Sequence, residues 1–493
     1  MKYNIKNILL IHGFGDKENY QNIYINLYKA LKLAIVKNAL KSHAQLPPTR
    51  VLAKDIGVSR STVIKAYDLL VLEKYVNTKV GSGYYVNSSK SKKLQTPIGA
   101  KFELGDYPKI SKRGLAFKSN IQIINNYKSN TGIAFRPGLP PLDIFPVSQW
   151  KNLVNNYWKT VKASELSYSH TTGINSLKKN ISNYLKIYRN IDCDPNQVVI
   201  TTGSLHSLSL IGDALIDKND EVVIENPTYP YAYNLFNSLK SKICPAPIDK
   251  EGMELKNLKV FNPKIIYTTP SNQYPTGVKM SLERRLELVK WASSKNAIIV
   301  EDDYDHEFSN WENPISSIYS LDKQERVVYL GTFNKLLHPS LRLGYMIVPH
   351  YLLDTVTALY QQSSRFVNPA SQKILSAFIE KDYLNKHIRH VLEVSLERKS
   401  VFLDSFSNHL EEYIDINNKN SGLHIIGHLD KNINDQKLSD FLKTKGITTH
   451  PYSLYFIEGK KRNGLIMGYS SVNNKTIKET IFKMKNEVDN FKN

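Results

Sequence analysis

Cysteine is nearly absent from this 493-residue chain: Cys193 and Cys244 are the only two, far apart and in no ligand-like spacing. That excludes a disulfide framework and a paired-cysteine zinc site, and both thiols are expected to be inert. Long apolar runs are also missing. No uninterrupted stretch approaches the length needed to cross a bilayer, so no membrane partner is expected. The run Ile8-Leu9-Leu10-Ile11 is too short for a signal peptide and lacks a small-residue cleavage site, which points to a cytoplasmic location. Acidic residues are scarce beside basic ones, 45 against 66, for a net charge of +21. The first 93 residues hold 16 basic and 5 acidic side chains, so about half of the excess lies in about a fifth of the chain. Such asymmetry suggests a module that binds a polyanion.

What is present is globular in composition, 41% hydrophobic and 23% charged, in a chain too long for one ordinary domain. Residues 22 to 40 carry Leu27, Leu31, Ala34 and Ile35 at helical spacing before the Leu46-Pro47-Pro48-Thr49 break. A second helix is expected from Thr49, as its cap, to about Ile56, with Gly57 supplying a left-handed turn and Ser59 capping a third. Val58 and Val63 flank that cap as a hydrophobic staple. Val63, Ala66, Tyr67 and Leu70 then face inward, leaving Arg60, Ser61, Thr62 and Lys65 outward, all able to donate hydrogen bonds to phosphates or base edges. Tyr75 to Val86 reads as two strands around Gly81-Ser82-Gly83, a wing.

From Ser88 to about Asn130, Lys, Ser, Pro and Gly accumulate, and residues 88–130 read as a linker of partial order. Beyond it, from about Gly132, helical stretches alternate with the short β-rich runs Gln197–Thr201, Glu221–Glu225, Lys264–Thr268, Ala297–Glu301 and Val327–Gly331. That alternation predicts an α/β domain with a mainly parallel sheet. A smaller α+β subdomain is expected from about Ser371.

The motifs refine this outline. Leu46-Pro47-Pro48-Thr49-Arg50, Val58-Ser59-Arg60-Ser61-Thr62-Val63 and the Gly81-Ser82-Gly83 wing resemble the GntR family of bacterial regulators over residues 20–87. The resemblance implies a winged helix-turn-helix whose third helix enters the major groove of double-stranded DNA as part of a dimer reading two half-sites. Carried over, Arg50, Ser59, Arg60, Thr62 and Gly83 are the candidate DNA contacts. The alternative is a small helical docking module with a solvated basic face.

In the larger domain, Gly331-Thr332-Phe333-Asn334-Lys335 follows a buried strand, a setting that can desolvate Lys335 into a nucleophilic amine. Glu301-Asp302-Asp303-Tyr304-Asp305 ends another, where open α/β sheets bind ligands. Asp302, Asp303, Asp305, His306 and Glu307 do not read as a metal site, because successive strand residues point to opposite faces. With these motifs, residues 131–490 resemble a fold type I aminotransferase, and the whole chain is similar to the MocR/GabR-type subfamily of GntR regulators. The resemblance implies pyridoxal 5′-phosphate (PLP) as cofactor. It makes Lys335 the Schiff-base lysine, Asp302 the partner of the pyridine nitrogen, and Tyr304 with Asn272 the partners of the phenolic oxygen. Tyr229 stacks on the ring, while the amides of Ser204 and Leu205 at a helix N-terminus, together with Thr332 and Arg342, hold the phosphate. Tyr168 is a candidate either to reach a neighbouring subunit's phosphate or to pack in the core. Arg462 is the candidate for gripping an amino acid effector, or an exposed base beside Lys460 and Lys461.

Two departures stand out: Asn334 where serine is common, and Tyr231 where the GABA-responsive pattern carries arginine, which argues against GABA as effector. The leading reading is a regulator in which PLP, or an amino compound, biases a head-to-tail homodimer. The alternatives are an active aminotransferase with an appended helix-turn-helix, and an architectural DNA-binding protein with an inactive PLP fold.

Overall fold

A computed structural model describes residues 5–14, 22–79, 82–87, 109–125, 134–308, 315–416 and 422–492, without the side chains of 119–125 and 492. Gly81, and most of the stretch read as a linker, lie outside the described residues. Contacts divide the chain into two units, Met1–Lys109 and Ile110–Asn493.

The first unit contains helices Ile5–Ile11, Ile23–Val36, Thr49–Ile56 and Arg60–Leu72, followed by strands Val76–Lys79 and Gly83–Val86, which pair antiparallel. Leu27, Leu31, Ala34 and Ile35 are buried with Val63, Ala66, Tyr67 and Leu70 in one core, against which Val58 packs. The expected cap on the Thr49 helix is corrected. Pro48 holds the cap position and Thr49 is already helical, since proline's fixed φ and missing N–H suit a helix entry. Gly57 is left-handed, with φ 73°, and the Ser59 hydroxyl accepts the Thr62 N–H at 3.1 Å, capping the next helix as expected. The helix Ile5–Ile11 was not foreseen; its Ile5 and Leu9 join the same core.

The second unit is built on an eight-stranded sheet in the order Val198–Thr201, Gly344–Ile347, Val327–Thr332, Ile298–Asp302, Ile265–Thr268, Glu221–Asn226, Lys242–Asp249, Gly252–Met253. The pairings from Val327–Thr332 through to Lys242–Asp249 are parallel. Gly344–Ile347 runs antiparallel to both neighbours, as Gly252–Met253 does to its one. The central strands are buried along their whole length, as sheets covered on both faces require. Three strands escaped the sequence pattern, among them Gly252–Met253, which is only two residues long. Lys242–Asp249 is interrupted by Pro245 and Pro247 and only partly buried, and Gly344–Ile347 spans four residues directly behind an arginine motif.

A second sheet, wholly antiparallel, orders Ile414–Asp415, His424–Leu429, Gly464–Gly468 and His450–Pro451. The smaller subdomain around it begins later than Ser371. That residue lies in the helix Pro369–Glu380, whose Ile374, Leu375 and Phe378 belong to the large core. The division falls inside the 27-residue helix Tyr383–His409: Leu384 and Ile388 serve the large core, Phe402 and Phe406 the small one. A helix of that length extends about 40 Å, enough to cross both. Ala134 and Phe135 also pack into the small core, so chain from before as well as after the large sheet contributes to it. The stretch read as linker includes a helix, Lys112–Asn125, which packs against the helix Pro230–Ser238 and whose Arg113 donates to Asp213 at 3.1 Å.

Candidate PLP and DNA sites

Parallel strands bring their carboxyl ends to one edge of the sheet, and there a cavity of about 400 Å³ opens. Asp302 closes one strand and Thr332 another, while the helices that begin at Ser204 and Pro230 follow two more. Asp302, Thr332, Lys335, Tyr304, Tyr229, Ser204, Leu205 and Arg342 all line this cavity. Eight sequence candidates, scattered over 139 positions of chain, therefore meet in one place because of the topology.

Asp302 is 4% exposed. One carboxylate oxygen accepts the Tyr267 hydroxyl at 2.9 Å, and the other is buried with no hydrogen-bond partner. Burial raises its pKa to about 7, against the Tyr267 hydrogen bond that favours the ionised form. The Lys335 ammonium nitrogen donates to the Gly138 carbonyl at 2.7 Å and lies 5.8 Å from the centre of the Tyr304 ring. Burial lowers the lysine's pKa despite the attraction of Asp305 and Asp302. Gly138 has φ +72°, and a Cβ there would meet the Lys335 nitrogen at 2.6 Å. Only glycine leaves that lysine its place.

The Tyr304 hydroxyl donates to the Asn272 backbone carbonyl at 3.1 Å, and the Asn272 amide donates to Asp305 at 3.0 Å. The pair is thus brought together, although Asn272 spends one amide donor on Asp305. Tyr229 caps its helix with its ring 5.2 Å from that of Tyr231 and 5.8 Å from that of Tyr274. Ser204 and Leu205 open the helix Ser204–Leu215, whose first-turn amides have no acceptor within the helix. Arg342 comes to the same end of the cavity, its guanidinium about 4.0 Å from where a Cβ on Gly203 would stand. Thr332 also steadies the loop, its hydroxyl accepting the Asn334 N–H at 3.2 Å.

The remaining acids have structural partners. Asp303 pairs with the buried Arg189 at 2.8 Å and accepts from Tyr329 at 2.7 Å, while Glu307 accepts from Tyr184 at 2.5 Å. Among the described residues no grouping suited to a metal ion occurs, and no helix is long and apolar enough to cross a membrane.

These features fit PLP by their chemistry. An unsatisfied buried acid oxygen matches a pyridine N–H, a desolvated amine matches a carbonyl, and a helix N-terminus beside an arginine matches a phosphate. Comparison with known proteins agrees. Residues 146–463 match the family model of class I and II aminotransferases, and residues 23–86 that of the gntR family of bacterial regulatory proteins. The chain is 32% identical to the probable rhizopine catabolism regulatory protein MocR of Rhizobium meliloti, over 94% of each chain.

This chain belongs to the MocR-type subfamily of GntR regulators.

The regulator is also 24% identical to the pyridoxine biosynthesis regulator PdxR of Corynebacterium glutamicum, over 95% of this chain and 96% of that one. It superposes on the multiple substrate aminotransferase of Thermococcus profundus with a TM-score of 0.69 at 25% identity, covering 77% of this chain and 97% of that one. It is a DNA-binding, PLP-dependent transcription regulator with an aminotransferase-like domain.

Three sequence candidates are absent from the cavity lining: Tyr168, Arg462, and Asn272, which is buried with its amide on Asp305. Tyr168 is 78% exposed, beside Phe366 and under the Arg365 guanidinium, so it is not packed in the core of its own chain. Arg462 is exposed and absent from the cavity lining; it precedes the strand Gly464–Gly468, near His428 and Tyr452. The cation that does line the cavity there is Arg136, which the sequence reading missed together with Tyr267, Gly138, Tyr274, His450 and Tyr455. The Phe135-Arg136-Pro137-Gly138 stretch lies at the entry to the domain and carries a Pro-Gly signal, but nothing local ties it to Lys335.

In the DNA-binding unit, Arg50, Ser59 and Arg60 are exposed and Thr62 half-buried. The Arg60 Nε donates to the Thr49 hydroxyl at 3.4 Å, and the Ser59 hydroxyl lies 2.8 Å from that of Thr62. Two helix starts are thereby joined. Gly83 sits apart on the wing, which is tied down by Gln45 donating to the Ser82 carbonyl at 2.7 Å.

Proposed function

We propose that this regulator senses PLP, alone or with an amino compound, at Lys335, and that the occupied site shifts a head-to-tail homodimer between two arrangements of its DNA-binding heads. The observation that carries the reading is the buried, unpartnered oxygen of Asp302 in the same cavity as the desolvated Lys335 amine. When bound, PLP supplies an electrophilic carbonyl carbon with which amines condense. Burial favours the neutral Lys335 amine, the form that attacks a carbonyl. Asp302 holds a proton at the pyridine nitrogen. Tyr304 and Asn272 orient the phenolic oxygen, Tyr229 covers a ring face, and the Ser204 and Leu205 amides, with Thr332 and Arg342, bind the phosphate.

An effector shifts the dimer only if it binds the two arrangements with different affinity. The exposure of Tyr168 supports its reaching a partner's phosphate in such a dimer. On DNA, Arg60 and Thr62 read the major groove from the first turn of their helix, while Arg50, Ser59 and Gly83 hold the backbone. Work on a bacterial chromosome sets this activity in the cytoplasm.

The test is the absorption of the purified protein between about 300 and 500 nm, before and after borohydride, beside a Lys335→Ala variant, since a lysine Schiff base absorbs there and is trapped by reduction. A band that borohydride removes and the variant lacks is the expected result. The absence of any band after adding PLP overturns the reading.

A further inference from the structure

A short strap, Ala134 to Leu139, enters the second unit across the cavity and is fastened at both ends. At one end the Phe135 N–H donates to the Thr448 carbonyl at 3.0 Å, and the Phe135 carbonyl accepts the Gly468 N–H at 2.8 Å. At the other, the Gly138 carbonyl accepts from Lys335. Arg136 lies between these anchors. The approach to the small sheet is so close that a Cβ on Gly468 would come within 2.2 Å of the Arg136 carbonyl oxygen.

Three basic side chains line the cavity: Arg342, Lys335 and Arg136. Arg342 stands by Gly203 at the helix N-terminus, where the phosphate belongs, and Lys335 is reserved for the carbonyl. Arg136 is the third, and it is carried on the strap rather than on the connection between the strands Val327–Thr332 and Gly344–Ile347 that holds the other two. It acts electrostatically on Tyr231 and on His450. The Tyr455 hydroxyl lies 3.1 Å from His450 Nδ1 and 3.3 Å from the Tyr274 hydroxyl. Burial keeps His450 neutral, with a pKa near 3, so it contributes hydrogen bonding without charge. The cavity lining thus brings one guanidinium together with the phenols Tyr231, Tyr274 and Tyr455 and a neutral imidazole.

We infer that Arg136, and not Arg462, is the residue that selects the effector, by receiving the carboxylate of an amino acid whose amine is directed to the PLP site. The inference rests on the PLP-sensing reading and adds the class of ligand: an amino acid in preference to the amine that lacks its carboxylate. A guanidinium matches a carboxylate with two parallel donors. A charged hydrogen-bonded contact of this kind corresponds to a roughly 10- to 100-fold difference in affinity.

The experiment titrates the PLP-loaded protein, followed by its visible absorption, with matched pairs: L-alanine and ethylamine, L-phenylalanine and 2-phenylethylamine, L-glutamate and 4-aminobutyrate. Expected is a preference for the amino acid of about tenfold or more in at least one pair. It should fall to about twofold or less in Arg136→Gln, take an intermediate value in Arg136→Lys, which keeps the charge without the fork, and persist in Arg462→Gln. PLP loading, read from the same band, is expected to be unchanged in all three. If Arg136→Gln does not load PLP, Arg136→Lys decides, and a wild-type ratio in it overturns the inference. So does a wild-type ratio in Arg136→Gln, a collapsed ratio in Arg462→Gln, or no preference in the wild type, each with the PLP band intact. A wild-type protein without the band overturns instead the reading on which the inference stands.

Discussion

The Tyr267 hydroxyl and one Asp302 oxygen are joined at 2.9 Å inside the sheet edge, and this bond turns the carboxylate so that its second oxygen is left buried and unsatisfied. Leaving such a group without a partner is costly, and a cationic ring N–H removes that cost. Asp302→Asn is therefore expected to weaken PLP binding by roughly 10- to 100-fold, measured by equilibrium dialysis. Tyr267→Phe should weaken it less, since the acid remains while its orientation relaxes.

The same burial sets a pH dependence in the PLP-free protein. The folded pKa of Asp302 is about 7, above the unfolded value of about 3.9. As pH rises from about 4 to about 7 the unfolded chain releases this proton and the folded one keeps it, so stability falls across that window and levels off above it. Asp302→Asn cannot ionise. Its stability relative to the wild type, from urea unfolding at a series of pH values, is expected to climb by a few kcal/mol, at most about 4, between pH 4 and 7. A pH-independent difference would show that the carboxyl is not held in its neutral form.

Gly138→Ala tests the strap. The added methyl would meet the Lys335 nitrogen at 2.6 Å on a backbone with φ +72°, so both the strap and the lysine must move. Loss of PLP loading is expected, with a stability loss of roughly 1–3 kcal/mol and no change in affinity for DNA measured without PLP.

In the DNA-binding unit the variants separate by role. Arg50→Ala is expected to weaken binding to all duplexes alike and to reduce the salt slope by about 1, as loss of one phosphate contact does. Arg60→Ala should also relax discrimination between sequences by about 1–3 kcal/mol. Ser59→Ala removes the cap on Thr62 and costs about 1 kcal/mol of stability as well. Fluorescence anisotropy at several salt concentrations, with thermal melts, distinguishes the three.

Much of this molecule was legible in its sequence because its informative features are local. The Ser59 cap, the turn at Gly57 and the buried strands ending in Asp302 and Thr332 each depend on neighbours a few residues away. Arg136 and Tyr267 were not legible, since their importance lies in contacts with residues distant in sequence: the strap touches Lys335 across 197 positions and Tyr267 meets Asp302 across 35. Arg462 lies outside the cavity lining for the converse reason. Its position before an apolar strand resembles that of a binding arginine, but the residue itself is exposed. The Ser371 boundary failed because one helix serves two cores, which helical periodicity cannot reveal.

The most direct test of the account is the affinity of the protein for a duplex carrying its own upstream region, at fixed salt, with PLP bound and with PLP removed, in the wild type and in Lys335→Ala. The account predicts that PLP changes the wild-type affinity and leaves that of Lys335→Ala unchanged. Equal wild-type affinities with and without PLP, and with the amino acids of the titration present, would contradict it.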